Sequence, residues 1–234
     1  MSTSAKVTAR QRIENLLDDN SFVEIGAYVK ARNTDFNIQA KDTPSDGVIT
    51  GYGVINGGLV YVYSQDASVL GGSVGEMHAK KIASLYDMAM KTGSPVIGLI
   101  DSTGLRLQES VDGLNAFGQI YMKQSLASGV IPTVTAIFGN CGGGLSIVAG
   151  LSDFTFMEVE NAQLFVNSPN AITENRKEIC DNASAKFQSE EAGNVDFVGT
   201  EAEVIEGIRN LVSVLPSNNE DEASDLECYD DLNR

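Results

Sequence analysis

The chain of 234 residues has no tryptophan, one histidine, three cysteines and five prolines. Its cysteines, Cys141, Cys180 and Cys228, form no CxxC pair and are odd in number, so the sequence supports neither a zinc ribbon nor a disulfide framework. We expect Cys141 to be a small buried residue at a turn. A single histidine and scattered carboxylates offer no cluster of metal ligands, and we predict no metal site.

Long apolar runs are also missing. No segment approaches the roughly 18 to 20 consecutive apolar residues of a membrane span, and the N-terminus lacks the apolar core of a signal peptide. We therefore expect a cytoplasmic protein without membrane insertion.

Basic residues are scarce: 16 Lys and Arg stand against 32 Asp and Glu, which gives a net charge of −16. A face that binds phosphates carries a basic excess, so this balance argues against nucleic acid as a partner. Acidic residues concentrate in residues 216–234, which we interpret as an acidic tail or linker remnant after a single domain of residues 1–215.

Helical and extended patterns alternate along the chain, which is typical of an α/β fold with crossover connections. The predicted helices are 7–18, 75–92 with a stop at Gly93, about 112–128, one from about 143, and 200–214. The predicted strands are 21–26, 47–55, 59–66, 95–101, 132–138, 153–159, 162–166 and 195–199. A hairpin turn is expected at Asn56–Gly57–Gly58, and a loop over residues 30–46.

Two glycine-containing turns are the candidate oxyanion-binding elements of this sequence. Each follows a buried strand and precedes a helix, one within residues 95–110 and the other within residues 138–154. Such turns aim backbone N–H groups at a pocket, where an oxyanion can bind. The candidate donors are the backbone amides of Gly104, Leu105, Gly143, Gly144 and Leu145. Glycine content alone equally allows both turns to be tight connections without a ligand.

The combined pattern resembles a known family. The runs DGVITGYGVINGGLVYVYSQDASVLGGSVGEMHAKKI, TGSPVIGLIDSTGLRLQESVDGL, LASGVIPTVTAIFGNCGGG and LVSVLPSNNEDE are similar to the N-terminal half of biotin-dependent acyl-CoA carboxyltransferases, over about residues 6–220. That family includes propionyl-CoA carboxylase β subunits and the carboxyltransferase subunits of acyl-CoA decarboxylases. The resemblance implies a crotonase-like (ClpP/crotonase) fold, a ββα spiral.

Several functional expectations follow from the resemblance. It implies that the two turns line an acyl-CoA thioester site, where the enolate is stabilised while a carboxyl group moves to or from biotin on a carrier protein. It also implies a homo-oligomer and three kinds of partner: a C-terminal-type carboxyltransferase subunit, a biotin carboxyl carrier protein, and a biotin carboxylase or a membrane decarboxylase subunit. Because the family's second half is absent from this sequence, we expect a split subunit or half of a longer protein, active only with that partner.

Some positions depart from the family pattern. Thr103 replaces a usual glycine and Leu105 a usual alanine, which predicts a narrower or reshaped acyl pocket. Residues 173–194 are shorter than the matching segment of relatives and lack its histidine, which leaves open a non-catalytic CoA-binding or assembly role. A crotonase-type hydratase is less consistent with the sequence because no pair of catalytic glutamates stands at either turn.

Four further side chains have two readings each. Arg106 either binds substrate or forms an ion pair with Asp101 or Glu109. Lys80 and Lys81 are either solvated helix charges or contacts to a coenzyme A phosphate. We interpret His78 as a half-buried residue bonded to a backbone carbonyl, since a hydrolase using it with Ser102 or Ser146 lacks the GxSxG motif. The Gly71–Gly75 run lacks a GK[ST] ending, so we expect a flexible turn rather than a phosphate loop.

Overall fold

The computed structural model of the chain describes residues 7–33, 42–169 and 181–221. In these segments a mixed sheet of eight strands lies between two layers of helices. The strands are β1 (Val23–Ile25), β2 (Val48–Ile55), β3 (Gly58–Gln65), β4 (Val96–Ser102), β5 (Thr133–Gly142), β6 (Phe154–Glu158), β7 (Gln163–Phe165) and β8 (Phe197–Gly199). The helices are α1 (Ala9–Leu16), α2 (Glu76–Thr92), α3 (Ser110–Ala127), α4 (Gly144–Gly150), α5 (Ala185–Glu190) and α6 (Glu201–Val214).

The sheet begins antiparallel and becomes parallel. Strands β1, β2 and β3 pair antiparallel, and the β2–β3 connection is the tight turn at Asn56 and Gly57, both with positive φ. From β3 onward the neighbours β4, β5, β6 and β8 run parallel, joined by helices. The first part of β5 pairs with β6, and its last part, Asn140–Gly142, pairs with β7 instead. This change of partner places β7 beside the carboxyl end of β5.

Each face of the sheet has its own apolar core. Helices α1 and α6 cover one face through residues such as Ile13, Leu16 and Ile208. The other face is covered by α2, α3 and α4, whose buried residues include Leu85, Phe117 and Val148. Helix α2 ends at Gly93, whose φ of 62° lies in the left-handed region that favours glycine.

The predicted elements occur in the predicted order in the described residues, with shifts of a few residues at the ends, and α5 is an additional helix where no element was predicted. The main difference is β5, which continues to Gly142 rather than ending at Phe138 because its last residues pair with β7. Cys141 is buried as expected, but it belongs to this strand. Parts of the predicted loop 30–46 and of segment 173–194 lie outside the described residues. In the described part of the chain, no helix is both long and apolar enough to span a membrane.

Candidate functional site

The two glycine turns meet at one edge of the sheet. Strands β4 and β5 are parallel neighbours, so their carboxyl ends coincide, with Ser102 opposite Cys141. The connections that follow approach closely: a Cβ placed on Gly104 would stand 3.4 Å from the carbonyl oxygen of Gly142. Ligands of open α/β sheets bind at this edge. The structure therefore brings the two predicted turns together.

The first turn has one uncommitted amide. The Gly104 N–H donates to Ser102 Oγ at 3.1 Å, and Ser102 in turn donates to the Gly72 carbonyl at 2.6 Å. Gly104 has φ 92°, a conformation that favours glycine. For the next residue, Leu105, no partner of the N–H group is found among residues 7–33, 42–169 and 181–221. Leu105 is thus the available donor of this turn.

The second turn has two uncommitted amides. Gly143, at φ 60° and ψ −125°, directs the chain from β5 into α4, and its N–H donates to the Phe165 carbonyl at 3.0 Å. The N–H groups of Gly144 and Leu145 have no partner within the described segments. Tyr121 on α3 donates its hydroxyl to the Gly144 carbonyl at 2.7 Å and so fixes the peptide that carries the Leu145 N–H.

These bonds narrow the set of predicted oxyanion donors. Of the five proposed amides, those of Gly104 and Gly143 are engaged within the protein and hold the turns in shape. The amides of Leu105, Gly144 and Leu145 have no such partner among the described residues and are the donors left for a ligand. The sequence alone does not separate the two groups, because the separation depends on the hydrogen bond of Ser102 to Gly104 and on the pairing of β5 with β7.

Of the departures from the family pattern, the side chains of Thr103 and Leu105 both point away from the space between the turns. The Thr103 side chain lies against Gly71, where a Cβ would stand 2.9 Å from it. The Leu105 side chain points to α3 and packs beside Gly113. Leu105 thus presents its backbone to the site while its side chain joins the core beside α3.

Arg106 is almost completely buried and forms ion pairs within the protein. Its Nη1 lies 2.6 Å from Asp46 Oδ1 and 2.9 Å from Glu109 Oε1. The ion-pair reading is therefore correct for Glu109, and Asp46 is a partner that sequence analysis missed because it lies 60 residues away. Asp101 bonds Arg12, on the other face of the sheet.

Lys80 and Lys81 have different environments although they are adjacent. Lys80 is exposed and pairs with Glu76 one helical turn earlier, at 2.6 Å. Lys81 is buried, and its amine donates to the carbonyls of Ser45, at 2.9 Å, and Val48. Burial lowers the pKa of Lys81 to about 8. The solvated reading holds for Lys80 and is wrong for Lys81; a role in substrate binding stays a prediction for both.

His78 is fully buried rather than half-buried. Its Nδ1 donates to the Asp46 carbonyl at 3.0 Å, as expected of a residue bonded to the backbone, and its Nε2 accepts from Gln65 at 3.1 Å. Burial, reinforced by the charge of Arg106, lowers the pKa of His78 to about 3. Ser102 and Ser146 bond to the carbonyls of Gly72 and Gly143. No described contact joins either serine to His78, so the geometry does not support the hydrolase.

Two other features frame the site. The Gly71–Gly75 run is tied to the first turn rather than loose, because Val74 pairs with Leu105 in a parallel bridge. A cleft of about 390 Å³ opens beside the second turn, lined by Ser146, Phe165, Gln188 and Asn194 among others. In residues 7–33, 42–169 and 181–221, no group of three or more His, Cys, Asp and Glu side chains could hold a metal ion.

Comparison with known proteins places this geometry in a family. The profile described as the carboxyl transferase domain matches residues 2–234. This chain belongs to the carboxyl transferase domain family. It is 44% identical, over 98% of its length, to the methylmalonyl-CoA decarboxylase subunit alpha of Propionigenium modestum and 40% identical to the propionyl-CoA carboxylase beta chain of Roseobacter denitrificans. It spans about half the length of these relatives, 45% and 46% respectively.

Solved structures show the same fold. A transcarboxylase 12S hexamer with methylmalonyl-CoA and methylmalonic acid bound matches at a TM-score of 0.87 and 38% identity, over 93% of this chain and 43% of that one. A chain of a Pseudomonas malonate decarboxylase hetero-tetramer matches at a TM-score of 0.76 and 26% identity, over 88% of this chain and 80% of that one. The crotonase-like fold expected from the sequence is confirmed.

Proposed function

We propose that this chain is the acyl-CoA-binding half of a carboxyltransferase, a component of a biotin-dependent acyl-CoA carboxylase or decarboxylase. The observation that carries the proposal is the pair of adjacent turns with uncommitted amides at Leu105, Gly144 and Leu145. Backbone N–H groups are suited to hold a thioester oxygen because they are fixed in place and carry no negative charge. The methylmalonyl-CoA bound to the similar transcarboxylase supports the same substrate class.

The amides stabilise charge that develops on the thioester oxygen. When a carboxyl group leaves the α-carbon, or a proton leaves it before carboxylation, the electron pair delocalises onto that oxygen as an enolate. Donors already in place favour this state over the neutral thioester, and removing one such donor typically lowers kcat by about 10²–10³. Biotin, when a carrier protein presents it, would accept or supply the carboxyl group. We assign the three uncommitted amides to the thioester oxygen, and biotin to the partner half.

An exposed apolar surface beside the site supports a partner. On α3, Val111, Leu114, Met122 and Leu126 are all more than half exposed; we call them the α3 stripe. The buried face of α3 lies on the opposite side, with Ala116, Phe117 and Ile120. The stripe starts just after the first turn, and relatives of twice the length carry a second half in the same chain. We assign the stripe to a C-terminal-type carboxyltransferase half, with which the chain forms an oligomer in the cytoplasm.

A reconstituted complex tests the proposal. The chain is combined with a C-terminal-type half and a biotinylated carrier protein, and transfer of the carboxyl group to or from propionyl-CoA and methylmalonyl-CoA is measured. We expect transfer by the complex and acyl-CoA binding measurable by calorimetry. A well-folded complex that binds no acyl-CoA would contradict the proposal, and one that binds without transfer would favour the non-catalytic role.

Two substitutions at one position isolate the amide contribution. A Cβ on Gly144 would stand 2.7 Å from the Tyr121 hydroxyl, so any side chain at this position crowds that hydroxyl. Gly144→Ala introduces the crowding and keeps the N–H, whereas Gly144→Pro introduces the crowding and removes the N–H. Proline is tolerated at the first position of a helix, where Gly144 lies. We expect Gly144→Pro to lower kcat by at least about tenfold relative to Gly144→Ala, as loss of one oxyanion donor predicts.

A further inference from the structure

Helix α2 begins without a capping side chain of its own. Its N-cap residue is Gly75, which makes no side-chain hydrogen bond. Two carboxylates from distant segments take over: Glu109 Oε2 accepts from the Glu76 N–H at 2.6 Å, and Asp46 Oδ2 accepts from the His78 N–H at 2.8 Å. Both carboxylates are buried. Anions are favoured at a helix N-terminus, but two of them placed close together repel each other.

Arg106 lies between these carboxylates and compensates their charge. Its guanidinium contacts Asp46 and Glu109 and also donates to Ser73, from Nε to Oγ at 3.2 Å and from Nη2 to the carbonyl at 2.6 Å. Burial raises the pKa of Asp46, and the charge of Arg106 opposes that rise. A buried carboxylate without such a partner would be strongly destabilising.

The backbone of Arg106 belongs to the first turn of the site. Its N–H donates to the Val74 carbonyl at 2.9 Å, and the Val74 N–H donates to the Gly104 carbonyl at 2.8 Å. Leu105 thus stands between two residues whose backbones are held, while its own N–H has no partner in the part of the chain that the structure describes. The side chain of Arg106 links this short bridge to the N-terminus of α2 through the two carboxylates that accept from its first amides.

Asp46 reaches the network through an unusual backbone. Ser45 and Asp46 have φ of 52° and 49°, and Gly47 follows at 71°. Non-glycine residues adopt this region at a cost of order 1–3 kcal/mol each, and they persist there only where surrounding contacts enforce it. Here the contacts are the bonds of Asp46 to Arg106 and His78, together with those of Lys81 to the Ser45 and Val48 carbonyls.

We infer that Arg106, held by Asp46 and Glu109, is a positioning residue that fixes the Leu105 amide for the enolate oxygen. This inference rests on the proposed function. It replaces the prediction that Arg106 binds the substrate directly, because the buried guanidinium is occupied by five acceptor atoms of the protein. A positioning residue affects the transition state more than the binding of coenzyme A.

Steady-state kinetics of the reconstituted complex separate the two roles. We expect Arg106→Gln to lower kcat by at least about tenfold, up to the 10²–10³ typical of a lost oxyanion donor, with KM for the acyl-CoA changed by less than about threefold. Arg106→Lys should restore part of kcat, since lysine keeps the charge but not the planar set of donors. A rise in KM with unchanged kcat would overturn the inference in favour of direct binding, and unchanged kinetics would overturn both.

A matched arginine serves as the control. Arg209 also donates to a carboxylate and a carbonyl, Asp18 Oδ1 at 2.7 Å and Leu16 O at 2.6 Å, but on the α1–α6 side of the sheet. Arg209→Gln should leave kcat unchanged below its unfolding temperature. If Arg106→Gln does not fold, Gly75→Ala replaces it, because the added Cβ would stand 2.6 Å from Arg106 Nη1 and beside Glu109.

Amide hydrogen exchange decides the inference independently of turnover. In the folded chain, Arg106→Lys should speed exchange in a peptide covering residues 103–107 and leave a peptide covering residues 143–148 unchanged. Equal exchange of residues 103–107 in both proteins would contradict the positioning role. If the wild-type complex itself shows no transfer, the proposed function fails, and this exchange measurement still tests whether Arg106 holds the turn.

Discussion

The side chain of Leu105 occupies the space that Gly113 leaves on α3. A Cβ at position 113 would stand 2.9 Å from Leu105 Cδ1 and 3.3 Å from the Arg106 carbonyl oxygen. A glycine inside a helix ordinarily costs about 0.5–1 kcal/mol relative to alanine. At this position it lets a larger residue follow Gly104 without entering the space between the two turns.

This relationship predicts that the effect of Gly113→Ala reverses in sign with the residue at position 105. In the wild-type background, crowding against Leu105 should outweigh the gain in helix propensity and lower the free energy of unfolding by about 1–2 kcal/mol. In a Leu105→Ala background only the Arg106 carbonyl oxygen, at 3.3 Å, stays close, so the same change should raise it by at most the helix-propensity gain of about 0.5–1 kcal/mol. Denaturant unfolding of the four proteins measures the coupling. Additive effects at the two positions would contradict the contact.

Two other glycines, Gly118 and Gly143, separate the effect of backbone strain from that of crowding. At neither Gly118 in α3 nor Gly143 at the second turn would an added Cβ have an atom within 4 Å, so steric overlap is excluded at both. Gly143 has φ 60°, whereas Gly118 lies inside a regular helix. Gly118→Ala should therefore raise the free energy of unfolding by about 0.5–1 kcal/mol, and Gly143→Ala should lower it by about 1–3 kcal/mol.

The functional consequence of these substitutions should differ as well. Gly143→Ala shifts the peptide before the Gly144 amide, so acyl-CoA binding and carboxyl transfer should fall with stability. Gly118→Ala should leave acyl-CoA affinity unchanged, as measured by calorimetry on the isolated chain. A Gly143→Ala protein of wild-type stability would show that the turn adopts a different backbone conformation from the one described.

The order of elements was predictable from the sequence because it depends on local patterns. Apolar spacing, Gly93 after α2 and the Asn56–Gly57 turn each act over a few residues. The two glycine turns were predictable for the same reason, and parallel strands then bring them together. What the sequence did not show is which amides remain free. The Gly104 N–H is engaged by Ser102, whose hydroxyl is held by the distant Gly72 carbonyl, and the Gly143 N–H is engaged by the tertiary contact with Phe165.

The buried charges were the least predictable part of the site. Lys81 follows Lys80 in the sequence, yet one is buried and the other exposed, because successive helical residues point about 100° apart. Asp46 gave no local signal of its partnership with Arg106. Ser45, Asp46 and Gly47 form a turn with positive φ at each residue. Its conformation is enforced by Arg106, a residue far along the chain.

The single histidine offers a test of this buried network by pH. Because the pKa of His78 in the folded chain, about 3, lies below its ordinary 6.5, the unfolded chain binds the proton first as pH falls. Its contribution to stability is therefore present above about pH 6.5 and is lost progressively toward pH 3. Between pH 7 and pH 4 we expect the free energy of unfolding to fall more in the wild type than in His78→Gln. The carboxylates are the same in both proteins, so the difference between them measures the histidine.

Nuclear magnetic resonance gives a direct reading of the same ring. With one histidine in the chain, the ¹⁵N spectrum has a single imidazole pair. We expect the neutral form with the proton on Nδ1, which donates to the Asp46 carbonyl, to persist at pH 5. A ring that titrates near pH 6.5 in the folded protein would contradict the buried geometry.

The α3 stripe gives a prediction for assembly. Leu114 and Met122 are exposed and lie on the face of α3 opposite its buried residues, so a charge at either position is tolerated in the isolated chain but not in an apolar interface. Leu114→Glu and Met122→Glu should each weaken association with a C-terminal-type half by at least about tenfold without lowering the unfolding temperature. Val214→Glu is the control, because Val214 is also more than half exposed, at the end of α6 on the other side of the sheet. Analytical ultracentrifugation of each variant with the partner half measures the change. Equal association by the Leu114, Met122 and Val214 variants would show that the partner binds elsewhere, and would separate the assembly surface from the two glycine turns that lie beside it.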